Sequence, residues 1–352
     1  MSGRVRGIVQ ATSHARDLRS RRPPALKVGR TRGRTPVVYY LTPDQTSPRG
    51  GVRTNYRHVD LLNSMGIEAA VLHTARGFRC TWFDNNTRTV SAAETQLTDD
   101  DILVVPEFYS PGLHLLPAAT RTVLFNQGAY HTFDYASDLG SRPGAPYTEV
   151  ANLVCMLTVS DDSAALLAYT FPKIPVHQAR PVINRRLFRP RPGSDRRRVG
   201  YVPRRRPLER KQLFHVLRAR GVLTDWEMMP IEGYSEARTA EIMQGCAIFL
   251  SFSEREGFGL PPVEAMASGC YVVGFTGLGG REYFDPEYSV PVADSDLLAF
   301  ARAVESAMGR YDTEPEYLHK AGLMASDSVL GRYHEQGLRK DLLSVYGPMF
   351  GN

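Results

Sequence analysis

The 352-residue chain lacks the features of disulfide-rich and membrane-spanning proteins. Its apolar runs, such as Leu153–Val159, are far shorter than the roughly 18 residues that a transmembrane helix needs. The first apolar patch, Gly7–Ala11, is too short for the core of a signal peptide. The four cysteines lie far apart in apolar runs without a CxxC pair: Cys80, Cys155, Cys246 and Cys270. We therefore expect a cytoplasmic protein whose cysteines are reduced packing residues.

Motifs for common cofactors and metals are also missing. There is no P-loop, and no GxGxxG follows the first predicted strand, which argues against kinase-like and dinucleotide-binding proteins. The nine histidines show no HExxH spacing. Two acidic segments could suggest a metal site. Asp99–Asp101 precedes a strand and is predicted to be a solvated turn. Asp294–Asp296 opens a helix, and Asp294 or Ser295 is predicted to be its capping residue. We predict neither a metal nor a cofactor.

The charge is unevenly distributed. Residues 1–34 carry nine arginines and Lys27 against Asp17, a local net charge of +9, whereas the remaining chain has a net charge of −3. The main part of the chain is therefore not predicted to bind nucleic acid. The basic arm has few large apolar residues, so disorder is the first interpretation. Peripheral attraction to anionic lipid and a wrongly assigned start codon are the alternatives.

The length and the alternation of elements predict two α/β domains. Residues 35–190 form the first and 191–335 the second, with a Pro- and Arg-rich linker at Arg185–Arg198 and a C-terminal helix at 336–352 that could pack back on the N-terminal domain. Nine buried strands are predicted: Val37–Leu41, Ala69–Leu72, Ile102–Pro106, Thr122–Asn126, Leu153–Val159, Val199–Pro203, Trp226–Pro230, Ala247–Ser251 and Tyr271–Phe275. Helices between them predict two parallel sheets, with ligands bound beyond the carboxyl ends of the strands.

The segment Ser253–Phe284, SEREGFGLPPVEAMASGCYVVGFTGLGGREYF, has the most informative chemistry. Glu256–Leu260 follows a strand, and Pro261 and Pro262 suit the first turn of the next helix. Glycines let backbone N–H groups approach a ligand closely, and a helix N-terminus attracts phosphate. Glu256 and Glu264 supply acceptors for sugar or ribose hydroxyls. Solvated glutamates that complement the helix dipole are the structural alternative.

These residues resemble the Glu, seven residues, Glu signature of retaining glycosyltransferases of the family 4 (group 1) type, which adopt the GT-B fold. The resemblance is close over Val199–Phe284. It implies that Glu256 contacts the donor sugar, that Glu264 contacts the nucleotide ribose, and that the backbone of the loop between them contacts the sugar and the diphosphate. The residues of this loop are Gly257, Phe258, Gly259 and Leu260. The resemblance also covers the glycine-rich turn that ends in Glu282.

Further positions match the family less closely. Gly50 and Gly51, before a helix, resemble the glycine loop that approaches the donor phosphates, although an ordinary strand-to-helix turn has the same pattern. Asn184 and Phe188 resemble the segment entering the second domain, and for Phe188 we favour linker packing. The family places an arginine and a lysine after the first strand of the second domain, where they bind the diphosphate. Arg204 and Lys211 are our choices, with Arg205 and Arg210 as close alternatives.

The acceptor side departs from the family pattern. Many relatives have a histidine after the strand that here ends near Pro106, whereas this chain has Glu107. The next strand is followed by Gln127, and His131 comes shortly afterwards. Glu107, Gln127 or His131 could face the acceptor, and none of them fills the family pattern.

We therefore expect a GT-B α/β protein with two facing Rossmann-like domains and a cleft between them. Its predicted function is that of a retaining, metal-independent, hexosyltransferase-like enzyme, which moves a sugar from a nucleotide-diphosphate sugar to a carbohydrate or lipid-linked acceptor. The family favours cell-envelope polysaccharide or glycolipid biosynthesis. A natural-product glycosyltransferase, a sugar-nucleotide epimerase or phosphorylase of the same fold, and a non-catalytic sugar-nucleotide-binding scaffold remain as alternatives.

Overall fold

The computed structural model describes residues 14–31, 33–134, 142–191 and 197–351. Residues 1–13 of the basic arm and residues 192–196 of the predicted linker lie outside this part of the chain. The described residues group by contact into two units. Unit 1 contains the residues up to Thr158, Ala164–His177 and the segment from Ser344, and unit 2 contains Val159–Ser163 and Gln178–Leu343.

Unit 1 is built on a seven-stranded sheet with the order β4-β3-β2-β6-β7-β8-β9. Its strands pair in parallel from β4 to β8, as the alternation of elements predicts. The strands numbered from the amino terminus are β1 Lys27–Gly29, β2 Val38–Leu41, β3 Ala69–His73, β4 Thr89–Ser91, β5 Gln96–Thr98, β6 Ile102–Pro106, β7 Arg121–Asn126, β8 Leu153–Thr158 and β9 Val176–Gln178. The helices are α1 (14–20), α2 Gly50–Ser64 and α3 Asp161–Thr170, with 3₁₀ helices at Glu107–Leu115, Ala129–Phe133 and Tyr147–Glu149.

The core of unit 1 follows from this topology. The faces of a parallel sheet are covered by its crossover segments, so the central strands are apolar on both faces, and β2, β3 and β6 are buried throughout. Leu41, Leu72, Leu103 and Leu124 belong to one buried cluster. The strand ends that follow this core therefore form a fixed edge of the unit.

Unit 2 carries a five-stranded parallel sheet with the order β11-β10-β12-β13-β14. Its strands are β10 Arg198–Tyr201, β11 Glu227–Pro230, β12 Ile248–Glu256, β13 Tyr271–Leu278 and β14 Ser289–Val292. Its helices are α4 Pro207–Ala219, α5 Glu236–Gln244, α6 Leu260–Ala267, α7 Leu297–Thr313, α8 Pro315–Arg332 and α9 Glu335–Phe350, with a 3₁₀ helix at Gly279–Glu282. The central strands β10, β12 and β13 direct their carboxyl ends to one edge, where the glycine-rich loop lies.

The basic arm is ordered over its described residues, contrary to the expected disorder. Strand β1 pairs in parallel with β5. Thr31 donates to Asp99 from its backbone N–H (2.8 Å) and from its hydroxyl (2.7 Å), and Arg34 pairs with the fully buried Asp101. Asp99 and Asp101 thus hold the arm, whereas the sequence predicted a solvated turn. The arm is held by polar contacts to a distant part of the chain, whereas the sequence prediction considered only apolar residues as evidence of order.

We expect truncation at residue 34 to destabilise unit 1. A chain shortened by 34 residues loses the β1–β5 pairing and the contacts of Thr31 and Arg34, at about 1 kcal/mol for each net hydrogen bond. The matched comparison is a chain shortened by 13 residues, so that the difference in melting temperature between the two proteins gives the contribution of residues 14–34. Equal melting temperatures for the two proteins would contradict the packing seen here.

Several boundaries differ from their expected positions. We expected the first domain to end at 190, whereas contacts assign the chain from Gln178 to unit 2. The α9 helix begins in unit 2, and its residues from Ser344 belong to unit 1, where Tyr346 is buried and its hydroxyl lies 2.9 Å from that of Tyr40. Phe188 is buried, in agreement with linker packing. Such boundaries depend on contacts between distant segments, which local periodicity does not report.

Helix caps also differ in detail from the sequence prediction. The α7 helix is capped by Asp296, which accepts from the N–H of Ala299 (2.9 Å), because Asp294 is paired with Arg206. At the start of α3, Ser160 accepts from the N–H of Ser163 (3.2 Å), so this serine caps the helix instead of Asp161 or Asp162. A run of several capping residues leaves the choice among them to tertiary contacts.

The cysteine prediction is confirmed, since all four thiols are buried and form no disulfide. Over the residues that the structure describes, none of the helices combines the length and the apolar character needed to cross a membrane.

Candidate active site

The glycine-rich loop of unit 2 is held from behind. Gly259 precedes α6 with φ +85°, a conformation that favours glycine. The Tyr283 hydroxyl lies 2.8 Å from the carbonyl oxygens of both Phe258 and Gly259. A Cβ on Gly279 would lie 2.2 Å from the carbonyl oxygen of Gly257. Pro261 and Pro262 in the first turn of α6 have no N–H group, so the backbone N–H groups that the start of this helix can offer a ligand are those of Leu260 and Val263.

Glu256 ends β12 and is paired with Arg205. The Arg205 Nε lies 2.7 Å from one carboxylate oxygen of Glu256, and an Arg205 Nη donates to the other at 3.1 Å. Both side chains line a depression together with Arg204, Pro261 and Pro262. The depression lies at the carboxyl ends of the neighbouring strands β10 and β12. A carboxylate, two cations and a helix N-terminus therefore meet in one place, which suits a ligand that combines hydroxyl groups with phosphate.

The arginines after β10 have different environments. Arg204 is exposed and Arg205 partly exposed, whereas Arg206 is buried over the ring of Phe275, 4.7 Å from its centroid. Arg206 pairs with Glu209 (3.2 Å) and with Asp294. It therefore serves the fold, a role that nothing in a run of three arginines indicates.

The other two cations lie on α4. Arg210 is partly exposed and lies 5.6 Å from the ring centroid of Tyr201, and Lys211 is exposed. Lys211 and Arg210 do not line the depression that contains Arg204 and Arg205. The structure thus brings Arg204 and Glu256 together and leaves Lys211 about one turn into the adjoining helix.

The remaining glutamates of the motif differ in exposure, since Glu264 is buried and Glu282 is partly exposed. Glu264 lies in α6 with 8% of its surface exposed, and it does not line the depression. Glu282 accepts hydrogen bonds from the N–H of Asp161 (2.8 Å) and the hydroxyl of Tyr333 (2.7 Å). Burial raises the pKa of Glu282, against these hydrogen bonds, which lower it. Glu282 thus ties the end of the glycine-rich turn to Asp161 and Tyr333.

The candidate residues of unit 1 converge at the carboxyl edge of its own sheet. Glu107 follows β6 and accepts from the N–H of Gln127 (3.0 Å), which follows the neighbouring strand β7. The Gln127 amide nitrogen donates to the carbonyl of Gly51 (3.1 Å) and to Asn55 (3.1 Å) in the first turns of α2. Gly51 is thus part of the same group of residues, and Gly50 is its exposed neighbour.

His131 lies beside these residues. Its Nδ1 lies 2.6 Å from a carboxylate oxygen of Asp134, and its ring is half exposed. A Cβ on Gly128 would lie 2.8 Å from the His131 ring and 3.4 Å from a Glu107 oxygen, so a side chain at this position would require the His131 ring to move. Burial raises the pKa of the Glu107 carboxyl, against the N–H of Gln127 and the charge of His131, which lower it.

Sequence reasoning missed two residues that build the site. Tyr283 fixes the glycine-rich loop, and Arg206 joins the strands' carboxyl edge to the start of α7. The single available signal for Tyr283 was its place immediately after the glycine-rich turn ending in Glu282. For metals, the residues that the structure describes contain no group of three His, Cys, Asp or Glu side chains placed to bind an ion.

Comparison with known proteins bears on the family and the fold. Residues 227–322 match the family model described as glycosyl transferases group 1. An α-1,6-glucosyltransferase from Actinobacillus pleuropneumoniae serotype 7 is 26% identical over 273 residues, which cover 74% of this chain and 79% of that protein.

Solved structures resemble the fold at low sequence identity. Sucrose-phosphate synthase from Thermosynechococcus elongatus has a TM-score of 0.66 at 13% identity and covers 90% of this chain and 99% of its own. The Anabaena protein HepE, in complex with UDP and glucose, has a TM-score of 0.63 at 11% identity and covers 89% of this chain and 99% of its own. The predicted GT-B fold with two Rossmann-like domains is confirmed, and the family match and the curated relative support the predicted resemblance to group 1 glycosyltransferases.

Proposed function

We propose that this glycosyltransferase is a retaining, metal-independent enzyme of the family 4 type that transfers a hexose to an acceptor in cell-envelope polysaccharide or glycolipid biosynthesis. The observation that carries the proposal is the depression at the carboxyl ends of β10 and β12, which Glu256, Arg204 and the start of α6 line together. The names of the relatives, an α-1,6-glucosyltransferase and a protein in complex with UDP and glucose, support UDP-glucose as the donor to test first.

Each residue has a distinct task in this mechanism. Breaking the sugar–phosphate bond develops negative charge on the departing diphosphate, which Arg204, Lys211 and the N-terminus of α6 stabilise. Arg205 and Arg210 assist in binding the phosphates. Glu256 orients the donor sugar through its hydroxyls, and this requires its ion pair with Arg205 to open when the donor arrives. Glu264 binds the ribose, and the backbone of Gly257, Phe258, Gly259 and Leu260 lies along the sugar and diphosphate.

The residues of unit 1 supply the acceptor side. Glu107 is held by the backbone N–H of Gln127, and burial raises the pKa of its carboxyl. We propose that Glu107, with Gln127 and His131, orients the acceptor, and that Gly50 and Gly51 approach the donor phosphates. A same-face reaction, in which the leaving phosphate helps to remove the acceptor proton, accounts for retention.

The basic arm has a separate proposed role. The exposed cations among the described residues of the arm include Arg16, Arg19, Arg22, Lys27 and Arg30. We propose that they contact anionic lipid at the membrane surface. Sedimentation with phosphatidylglycerol vesicles tests this, and binding that is insensitive to salt would argue against it.

The experiment that tests the function combines donor turnover with product stereochemistry. The protein is incubated with UDP-, GDP-, ADP- and dTDP-glucose, and nucleotide release is followed with and without candidate saccharide acceptors. We expect turnover with one donor and an α-linked product, identified by the anomeric proton coupling in NMR. A β-linked product would reject retention, and epimerised donor without transfer would reject the transferase function.

We expect Glu264→Ala to weaken nucleotide binding by about 10- to 100-fold. The lost contact is a charge-assisted hydrogen bond to the ribose, of roughly 1.5–3 kcal/mol. Calorimetry with the preferred nucleoside diphosphate measures it, and the matched control is Glu236→Ala in the first turn of α5, outside the site. Equal affinities for the two variants would refute the ribose assignment.

A further inference from the structure

The loop between β3 and β4 in unit 1 holds a cluster of aromatic side chains. Phe78 lies 4.7 Å from the ring of His73, and Phe83 lies 5.1 Å from that of Tyr56. Trp82 packs beside Phe83 at 4.6 Å and stays partly exposed. The other tryptophan of the chain, Trp226, is 8% exposed and packs edge-on against Tyr311 in unit 2, as a core residue does. Trp82 therefore differs from a packing tryptophan in its access to solvent.

The orientation of Trp82 is fixed by hydrogen bonds. Its indole N–H donates to the carbonyl of Gln45 at 3.1 Å, which uses the single polar atom of the side chain. The supporting turn is closed by Asn85, whose amide donates to the carbonyls of Cys80 (2.9 Å) and Phe83 (3.0 Å). The N–H of Cys80 donates in turn to the Tyr56 hydroxyl (3.1 Å). The ring is thus preorganised, and what remains for a ligand is its apolar π surface.

This ring lies at the same sheet edge as the candidate acceptor residues. Gln45 belongs to the loop that leads from β2 to Gly50, and the preceding Asp44 accepts from His73 at the end of β3 (2.9 Å) and from the N–H groups of Thr74 (3.1 Å) and Ala75 (2.8 Å). Burial acts to raise the pKa of Asp44, but these hydrogen bonds outweigh it and lower the pKa. Asp44 therefore remains a carboxylate that ties this loop to the Trp82 side of the edge.

The sheet order sets the spacing. Strand β2 lies between β3 and β6, so the Trp82 loop and Glu107 flank the β2 loop from opposite sides. Neighbouring strands lie about 4.8 Å apart, which separates β3 from β6 by about 10 Å. The strands that carry these two positions are thus separated by more than the width of one sugar ring, which leaves room for one ring on Trp82 and a second ring beside Glu107.

The chemistry of the loop favours a carbohydrate. A sugar ring presents an apolar face of C–H groups, whose partial positive charge complements the negative face of an indole. Its hydroxyl groups need polar partners at the rim, and Asp84 and Asn86 are exposed on the same loop. An extended lipid chain could pack against the indole ring, but it has no hydroxyl groups to form hydrogen bonds with these polar neighbours.

We propose that Trp82 is a stacking platform for a non-reacting sugar ring of the acceptor, so that the acceptor is an oligosaccharide or a glycan with at least two sugar units. This inference rests on the proposed function and adds the acceptor class and a residue that determines it.

Intrinsic fluorescence tests the platform directly, because the chain has two tryptophans. In Trp226→Phe the emission reports Trp82 alone, and in Trp82→Phe it reports Trp226 alone. We expect a saturable change on titrating Trp226→Phe with isomaltose and isomaltotriose, a weaker response to glucose, and none in Trp82→Phe. If Trp226→Phe does not fold, the difference between the unmodified protein and Trp82→Phe gives the same signal.

Binding affinities complete the test. We expect Trp82→Leu to weaken isomaltotriose binding about 10-fold, with Trp82→Phe in between and UDP affinity unchanged. If UDP binds normally but the fluorescence does not change at saccharide concentrations up to 50 times the donor Kd, the stacking role of Trp82 is wrong and the proposed function stands. A response to decyl phosphate but not to the saccharides would also overturn it, in favour of an apolar occupant. Loss of nucleotide binding and donor turnover in the unmodified protein would instead refute the proposed function.

Discussion

Alanine at Arg204 or at Lys211 is expected to lower kcat by on the order of 10²-fold or more, the scale for removing one preorganised donor to a developing charge. Arg204 lines the depression with Glu256, and Lys211 lies in α4, whose first turn begins three residues after Arg204. Since the charge on the diphosphate grows towards the transition state, kcat should fall more than donor affinity. Turnover by the unmodified enzyme should persist in EDTA, because these cations and the α6 N-terminus supply the positive charge.

The measurement is steady-state kinetics of both variants, with and without chelator. Arg218→Ala is the matched control, because Arg218 is exposed in the last turn of the same helix. Strict dependence on added Mg²⁺ or Mn²⁺, or a near-normal kcat in both variants, would reject this mechanism. If only one of the two variants has a near-normal kcat, the partly exposed Arg205 or Arg210 is the alternative residue for stabilising the diphosphate. Arg206 is not, since its guanidinium is engaged by Glu209 and Asp294.

The three consecutive arginines show where sequence reasoning ends. The strand before them and the helix after them were predictable, because a buried apolar run and a proline at the start of a helical pattern are local signals. Which arginine turns inward is decided by Asp294, 88 residues away, and by the ring of Phe275. The local sequence contains no information about partners so distant in the chain, so Arg206 could not be distinguished from Arg204 and Arg205.

The basic arm illustrates the same limit for secondary structure. Strand β1 has three residues and pairs with β5, also three residues, whose partner positions are 69 residues further along the chain. Neither segment has the length or the alternation that identifies a strand. By contrast, β12 and β13 are long, apolar and followed by glycine-rich turns, and both were predicted. The donor-side motif could be located from sequence because it lies on such elements, whereas its supports, Tyr283 and Arg206, could not.

Gly279→Ala is expected to disable the donor loop. An added Cβ would lie 2.2 Å from the carbonyl oxygen of Gly257, 2.6 Å from its carbonyl carbon and 2.8 Å from the carbonyl oxygen of Glu256. These are backbone atoms, which cannot move aside as a flexible side chain does, so the loop itself must shift. We expect a loss of roughly 1–3 kcal/mol in the free energy of unfolding from overpacking. The displacement of Glu256 should also lower turnover on the order of 10²-fold, the scale of an ångström-level misplacement in a site.

Gly309→Ala is the matched control for the same chemical change. Gly309 lies inside α7, and a Cβ there would meet nothing within 4 Å. Alanine should therefore stabilise the protein by about 0.5–1 kcal/mol through helix propensity, with kcat unchanged. Thermal unfolding and donor turnover of the two variants separate a general effect of a methyl group from one confined to the loop. Normal turnover and stability in Gly279→Ala would mean that the contact between this turn and Gly257 does not position Glu256, and the support assigned to the turn would have to be abandoned.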